Sequence, residues 1–114
     1  MKLIPGFSGR YFADPSGQII RADGRVLRQW PKKPKGYMVI NLSGPMGKKK
    51  YRVSRLIALA YIDNPGGKKT VNHKDFDKAN NRIENLEWAT IQENIAHAHA
   101  AGRFGGGRPK KRSA

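Results

Sequence analysis

Turn-forming pairs recur so often in the first 50 residues that only short strands fit between them. Pro5-Gly6, Asp14-Pro15-Ser16-Gly17, Asp23-Gly24, Pro34-Lys35-Gly36 and Gly44-Pro45 separate runs such as Gln18-Ile19-Ile20 and Tyr37-Met38-Val39-Ile40-Asn41-Leu42. The pattern predicts a small antiparallel sheet. Its best hairpin signal is Asp23-Gly24 between Ile19-Ile20 and Val26-Leu27, because Gly or Asp accepts the positive φ of a tight turn. Lys48-Lys49-Lys50 falls at the mouth of a second expected hairpin, where a lysine triplet is either simply solvated or placed to meet phosphate.

From residue 53 the period changes. Val53, Leu56, Ile57, Ala60 and Tyr61 recur at helical spacing, and Asn64-Pro65-Gly66-Gly67 ends the run, so a largely buried helix is expected over residues 53–62. Thr70-Val71 then reads as the end of a short strand that delivers Asn72-His73 to a polar loop, residues 74–82. Leu86-Glu87-Trp88-Ala89 alternates as a second strand with Leu86 and Trp88 in the core, and Thr90 with Glu93 forms a capping box that opens the last helix. Ile91, Ile95 and Ala98 share one face of that helix, and Gly102 is a good stop. Residues 103–114 have no apolar period and five positive charges, the composition of a flexible basic tail. The expected division is a β-rich N-terminal module (1–50), a strand–loop–strand–helix unit with its preceding helix (51–102) and the tail (103–114).

The chain of 114 residues suits one compact domain or two very small modules. Its apolar fraction of 38% supports a modest core, with Trp30, Trp88, Phe7, Phe12, Tyr37 and Tyr61 as candidates. No cysteine is present, which excludes disulfides and a thiolate nucleophile, and three histidines cannot fill a four-ligand site, so no structural zinc is expected. Lys and Arg number 23 against 8 Asp and Glu, a formal charge of +15, which draws polyanions and makes nucleic acid the natural partner. A membrane surface would call for an amphipathic basic helix or a lipidation signal, and the sequence has neither. With no signal-peptide core and no apolar run of about 18 residues, an intracellular, cytoplasmic location is the default expectation.

Asn72-His73 at the end of one strand and Asn94 in the first turns of the last helix can converge on one point. Histidine is the side chain best suited to take a proton from water near neutral pH, and amide or carboxylate oxygens suit a hard ion such as Mg²⁺. Singly, such residues are more often structural: Asn-rich stretches make turns, and a histidine leaving a strand usually packs. Jointly, at this spacing, before a capped helix and in a strongly basic chain, they indicate metal-assisted hydrolysis.

The runs Val71-Asn72-His73-Lys74-Asp75, Asn80-Asn81-Arg82-Ile83-Glu84-Asn85-Leu86-Glu87-Trp88 and Glu93-Asn94 resemble the HNH (ββα-metal) endonucleases of phage and intron origin. Upstream, Ile4-Pro5-Gly6-Phe7, Tyr11, Ser16-Gly17, Gly36-Tyr37 and Arg55-Leu56-Ile57-Ala58 resemble the small β-rich module that precedes the nuclease in phage HNH homing endonucleases, so the likeness covers residues 3–101. It implies an α+β fold, a small antiparallel β module followed by a ββα-metal nuclease motif. It further implies that His73 is the general base, that Asn94 is a metal ligand, and that Asn85 is the central asparagine that ties the loop and helps orient the base. Asn72 stands where many relatives carry a metal-binding aspartate. A neutral amide binds Mg²⁺ more weakly, which implies reduced activity or a need for more metal. His97, three residues after Asn94, could touch phosphate or supplement the metal, or be an exposed or packing histidine. Ser54, where relatives often carry histidine, and His99 receive no catalytic role.

By the same resemblance the activity would be DNA phosphodiester hydrolysis with Mg²⁺ or Mn²⁺, giving 5′-phosphate and 3′-hydroxyl ends. It would be nicking, with weak sequence reading, by a monomer or weak dimer of a phage-encoded protein in a bacterial host. DNA phosphates would meet Lys48, Lys49, Lys50, Lys74, Lys78 and Arg82, with Arg103, Lys110 and Lys111 of the tail. Two alternatives stay open: an HNH-like DNA-binding or assembly module whose catalysis Asn72 has weakened, and an RNA-binding protein of ribosomal type, which explains the charge but leaves the Asn72-His73, Asn85 and Asn94 spacing as coincidence.

Overall fold

The computed structural model describes residues 1–45 and 47–102; the expected basic tail, with Arg103, Lys110 and Lys111, lies outside them. Three small antiparallel sheets share one helix. The first joins β1 (Lys2–Leu3), β2 (Tyr11–Ala13) and β3 (Ile19–Arg21) in that order, and the second joins β4 (Trp30–Lys32), β5 (Tyr37–Gly44) and β6 (Gly47–Arg52). Helix α1 (Val53–Tyr61) follows directly, and β7 (Thr70–His73) and β8 (Leu86–Ala89) form the third sheet before helix α2 (Ile91–Ala100). The architecture is the expected α+β arrangement.

Helix α1 forms where the apolar period says it should and buries Val53, Leu56, Ile57 and Ala58. One apolar cluster gathers Ile4, Phe7, Tyr11 and Ile19 from the N-terminal segment, Ile40 and Leu42 from β5, Leu56 and Ile57 from α1, and Leu86 from β8. Each such aliphatic side chain contributes about 1.5–3 kcal/mol on full burial. Aromatic polar tips are satisfied around it: Tyr61 Oη donates to the Ala13 carbonyl at 2.8 Å, Trp88 Nε1 donates to Ile62 O at 2.9 Å, and Tyr11 Oη accepts from the Ser43 amide at 3.0 Å. Among the described residues no helix is long and apolar enough to cross a membrane.

Two local expectations change. The lysine triplet is not at a hairpin mouth: the long β5 ladder pairs Ser43 with Lys48, Leu42 with Lys49 and Asn41 with Lys50, which draws all three into edge strand β6. Charged lysines on an edge strand also discourage further strand pairing. Asn72 and His73 are not on a loop either, because the β7–β8 ladder continues through Asn72↔Glu87 and His73↔Leu86.

Helix α2 buries none of its residues, and Ile91 and Ile95 are 67% and 46% exposed, so the apolar face is not what seats it. Polar contacts do. Thr90 Oγ1 accepts from the Glu93 amide and Glu93 from the Thr90 amide, completing the capping box, while Lys68 pairs with Glu93 at 3.0 Å and Asn94 Nδ2 donates to Thr70 Oγ1 at 2.8 Å.

The β2–β3 turn reaches across to the loop after β7. Gly17, at φ +102°, lies so close to it that a Cβ there would stand 3.0 Å from the Asn81 carbonyl oxygen, and the Ile83 amide donates to Pro15 O at 3.1 Å. Gly17→Ala should therefore destabilise the fold by about 1–3 kcal/mol in urea or thermal unfolding. An unchanged midpoint would show that the turn does not bear on the loop.

Candidate active site

Strand β7, the loop behind it and helix α2 enclose a cleft of about 200 Å³ lined by Tyr37, Asn72, His73, Phe76, Lys78 and Asn94, with Val71 and Ala98. His73 ends the strand and is only 5% exposed. Its Nε2 lies 2.7 Å from Oδ1 of Asn81, itself 3% exposed. An amide oxygen only accepts, so Nε2 carries the hydrogen and the lone pair falls on Nδ1. An imidazole with one nitrogen held in this way keeps one tautomer and one ring orientation.

Both cleft asparagines have their amide nitrogens committed. Asn72 Nδ2 donates to Glu87 Oε2 at 2.8 Å and lies 3.2 Å from His97 Nδ1, which leaves Oδ1 for another partner. Asn94 Nδ2 goes to Thr70, and Asn94 Oδ1 is buried with no hydrogen-bond partner among the described residues. A buried oxygen without a donor is costly unless something electropositive meets it. The donor set fits a hard divalent cation: amide oxygens suit Mg²⁺, with less affinity than a carboxylate would give. Among the described residues no three His, Cys, Asp or Glu side chains gather into a metal cluster.

The loop is tied by its own polar groups. Asn85 Oδ1 accepts from the Asp75 amide at 3.0 Å, and its Nδ2 donates to Asp75 Oδ1 at 2.8 Å and to Asn80 O at 2.9 Å. Phe76 takes a left-handed backbone, φ 66°, and its ring stacks on His97 with centroids 4.5 Å apart. Such a conformation costs a non-glycine residue energy and persists where the surroundings enforce it. His97 thus packs on Phe76 and accepts from Asn72.

A second cleft, about 250 Å³, is lined by Lys32, Lys33, Lys35, Tyr37 and Arg52 with Pro34 and Val39. Tyr37 lines both clefts. Its ring lies 6.1 Å from that of His73 and carries the Arg52 guanidinium at 3.9 Å and the Lys78 ammonium at 4.6 Å.

Residues 51–96 match the family model described as HNH endonuclease. DNA endonuclease I-HmuI of Bacillus phage SP01 is 31% identical over 103 residues, 89% of this chain and 58% of that protein. The solved structure on DNA binding and cleavage by the HNH homing endonuclease I-HmuI superposes with a TM-score of 0.79 at 30% identity, over 90% of this chain and 59% of that one. The chain belongs to the HNH endonuclease family. A prophage-derived HNH homing endonuclease of Bacillus subtilis is 43% identical over 75 residues, 64% of this chain and 43% of the relative. An uncharacterised HNH endonuclease of Acanthamoeba polyphaga mimivirus is 38% identical over 86 residues, 69% of this chain and 26% of the relative. The chain spans less than two thirds of each relative's length.

Within this HNH chain the cleft brings together His73, Asn72, Asn94 and Lys78, with His97 behind Asn72. Asn85 stands outside the lining and ties the loop, while the hydrogen bond from the His73 ring is accepted by Asn81. Lys48, Lys49 and Lys50 lie on β6, Lys74 lines a different cleft beside Trp88, and Arg82 is exposed 3.7 Å from Glu84. Sequence reasoning missed Asn81, Glu87 and the basic cleft of Lys32, Lys33, Lys35 and Arg52. Only the Asn80-Asn81 doublet hinted at the first, without telling which of the two reaches the ring.

The hydrogen bond from Asn80 Nδ2, then the Asp77 amide and the Asn85 side chain, hold the Asp75 carboxyl below its ordinary value of 3.8. A depressed folded-state pKa gives stability that is present above the unfolded value and lost as pH falls through the folded one. In a carboxyl-observed NMR titration Asp75 should titrate below 3.8, with the Asn85 side-chain amide signals moving alongside it. Titration at or above that value would mean the loop tie does not hold in solution.

Proposed function

We propose that this chain is a metal-dependent DNA endonuclease that hydrolyses phosphodiester bonds one strand at a time, leaving 5′-phosphate and 3′-hydroxyl ends. The observation that carries the reading is the pairing in one cleft of a buried histidine, its Nε2 fixed and Nδ1 free to accept, with the partnerless oxygen of Asn94. His73 takes a proton from water as the water attacks phosphorus in line, and Asn81 keeps the ring facing it. Asn72 and Asn94 would hold Mg²⁺ or Mn²⁺, which when bound offsets charge developing on the phosphate and the leaving 3′ oxygen. Asn85 supports the chemistry by fixing the loop that carries Asn81.

DNA is the proposed partner, bound mainly through phosphates. Lys78 lines the catalytic cleft, and the basic cleft that shares Tyr37 offers a path for the strand on one side of the scissile bond. Lys48, Lys49 and Lys50 on exposed β6, Lys74, Arg82 and the tail residues Arg103, Lys110 and Lys111 add to the field, so affinity falls steeply with salt. In this reading residues 1–50 seat the duplex, residues 51–102 cut it, and the protein acts as a monomer or weak dimer inside the cell. The neutral Asn72 favours a second reading, a binding module with little or no catalysis.

Supercoiled plasmid with Mg²⁺ or Mn²⁺ at low salt tests both. Nicking is expected, abolished by EDTA and by His73→Ala. Asn81→Ala, which releases the ring, should slow nicking by as much as about a hundredfold while DNA affinity holds, with unfolding curves run in parallel to confirm that the variant is folded. Clean binding without nicking in either metal would leave the binding module.

A further inference from the structure

Asn72 and Glu87 are directly opposite in the β7–β8 ladder, so their side chains emerge on one face. The Glu87 carboxylate accepts from Asn72 Nδ2 at 2.8 Å, and the other hydrogen of that amide faces His97 Nδ1 at 3.2 Å. The amide is therefore held by its nitrogen end, and its oxygen is what remains to be offered. Glu87 is half-buried, and among the described residues no ion pair engages it: Lys68, which lines the same small pocket, pairs with Glu93 at 3.0 Å. In a chain of net charge +15, a carboxylate left without a cation while bonded to a neutral amide is unexpected for a merely solvated strand residue.

We propose that Glu87 is the anionic positioning residue of the metal site: it turns the Asn72 oxygen outward for the ion and supplies, one side chain back, the negative charge that the two asparagines lack. The proposal rests on the nuclease reading above. Partners behind a metal ligand fix its orientation and raise its donor strength, and their loss typically costs about 10–100-fold in metal affinity. It also gives position 72 a different meaning from a simple loss. Aspartate there would set two carboxylates against each other across the ladder, so position 87 decides what a charge at position 72 is worth.

Mn²⁺ binding by the full chain, followed by the loss of the free-ion EPR signal, tests this without reference to cleavage. Glu87→Gln keeps an oxygen that accepts from Asn72 and removes only the charge, and it should weaken Mn²⁺ binding about tenfold or more. In the double variant Asn72→Asp/Glu87→Gln the donor and acceptor exchange places and the charge moves forward, so binding should return to the wild-type level or better. Asn72→Asp alone should gain less than the double variant. Wild-type affinity in a folded Glu87→Gln protein overturns the proposal. A loss that the double variant does not restore overturns it too, since that marks damage to the strand pair. If the wild-type chain nicks plasmid while its Mn²⁺ affinity is indifferent to Glu87, this inference fails and the nuclease reading stands. A wild-type chain that neither binds Mn²⁺ nor nicks defeats both.

Discussion

The burial of α1 is the constraint on which the other elements depend. Leu56, Ile57 and Val53 are almost wholly enclosed, and what encloses them comes from all three sheets. None of those sheets has more than three strands, and a two-stranded sheet such as β7–β8 is marginal in water by itself. With no disulfide available and strong self-repulsion from the positive excess, the apolar contact with α1 makes one cooperative body of them. The strand pair that carries His73 is seated through Leu86 and Trp88, and the N-terminal sheet through Ile4, Tyr11 and Ile19. A Cβ at Gly17 would stand 3.0 Å from the carbonyl oxygen of Asn81, so the residue that accepts from the His73 ring lies close against a segment some sixty positions earlier.

The cleft itself is built from side-chain amides used in opposite senses. Asn81 offers its oxygen to the imidazole, which fixes the tautomer; Asn72 and Asn94 tie down their nitrogens, to Glu87 and Thr70, which frees their oxygens. Asn85 uses both ends at once to close the loop on Asp75 and Asn80. Carboxamides suit these tasks because one planar group carries donors and acceptor at fixed angles and brings no charge to bury. The cost is that such amides would hold a cation only weakly, which a chain with eight acidic residues has few ways to offset.

Periodicity and local turn chemistry made much of this legible in advance. Helix α1, the β7 and β8 runs, the capping box at Thr90 and the stop at Gly102 all follow from signals within a few residues of one another. What escaped depends on partners far apart in sequence. The β5 ladder decides that Lys48, Lys49 and Lys50 are strand residues, and the pairing with Leu86 decides that His73 is one. Ile91 and Ile95 share one face of the last helix, but it is polar contacts to Thr70 and Lys68 that seat it. Likewise Asn80 and Asn81 are indistinguishable as letters; only the fold sends one to Asp75 and the other to the imidazole.

A strand, unlike a loop, holds its side chains within narrow limits, and that gives the position of His73 and Asn72 a consequence. Their orientation is set by the ladder, which stands Leu86 and Glu87 directly opposite them. Leu86 behind His73 is core and fixes depth. Glu87 behind Asn72 is charged and fixes an amide. A positive field that gathers phosphate also repels a divalent cation, so some negative charge must stand near the cleft before the DNA arrives. On the reading proposed above, the ladder would let one half-buried carboxylate do this from beside the neutral Asn72. On that proposal Asn72 and Glu87 act as a pair, the amide offering the oxygen and the carboxylate the charge.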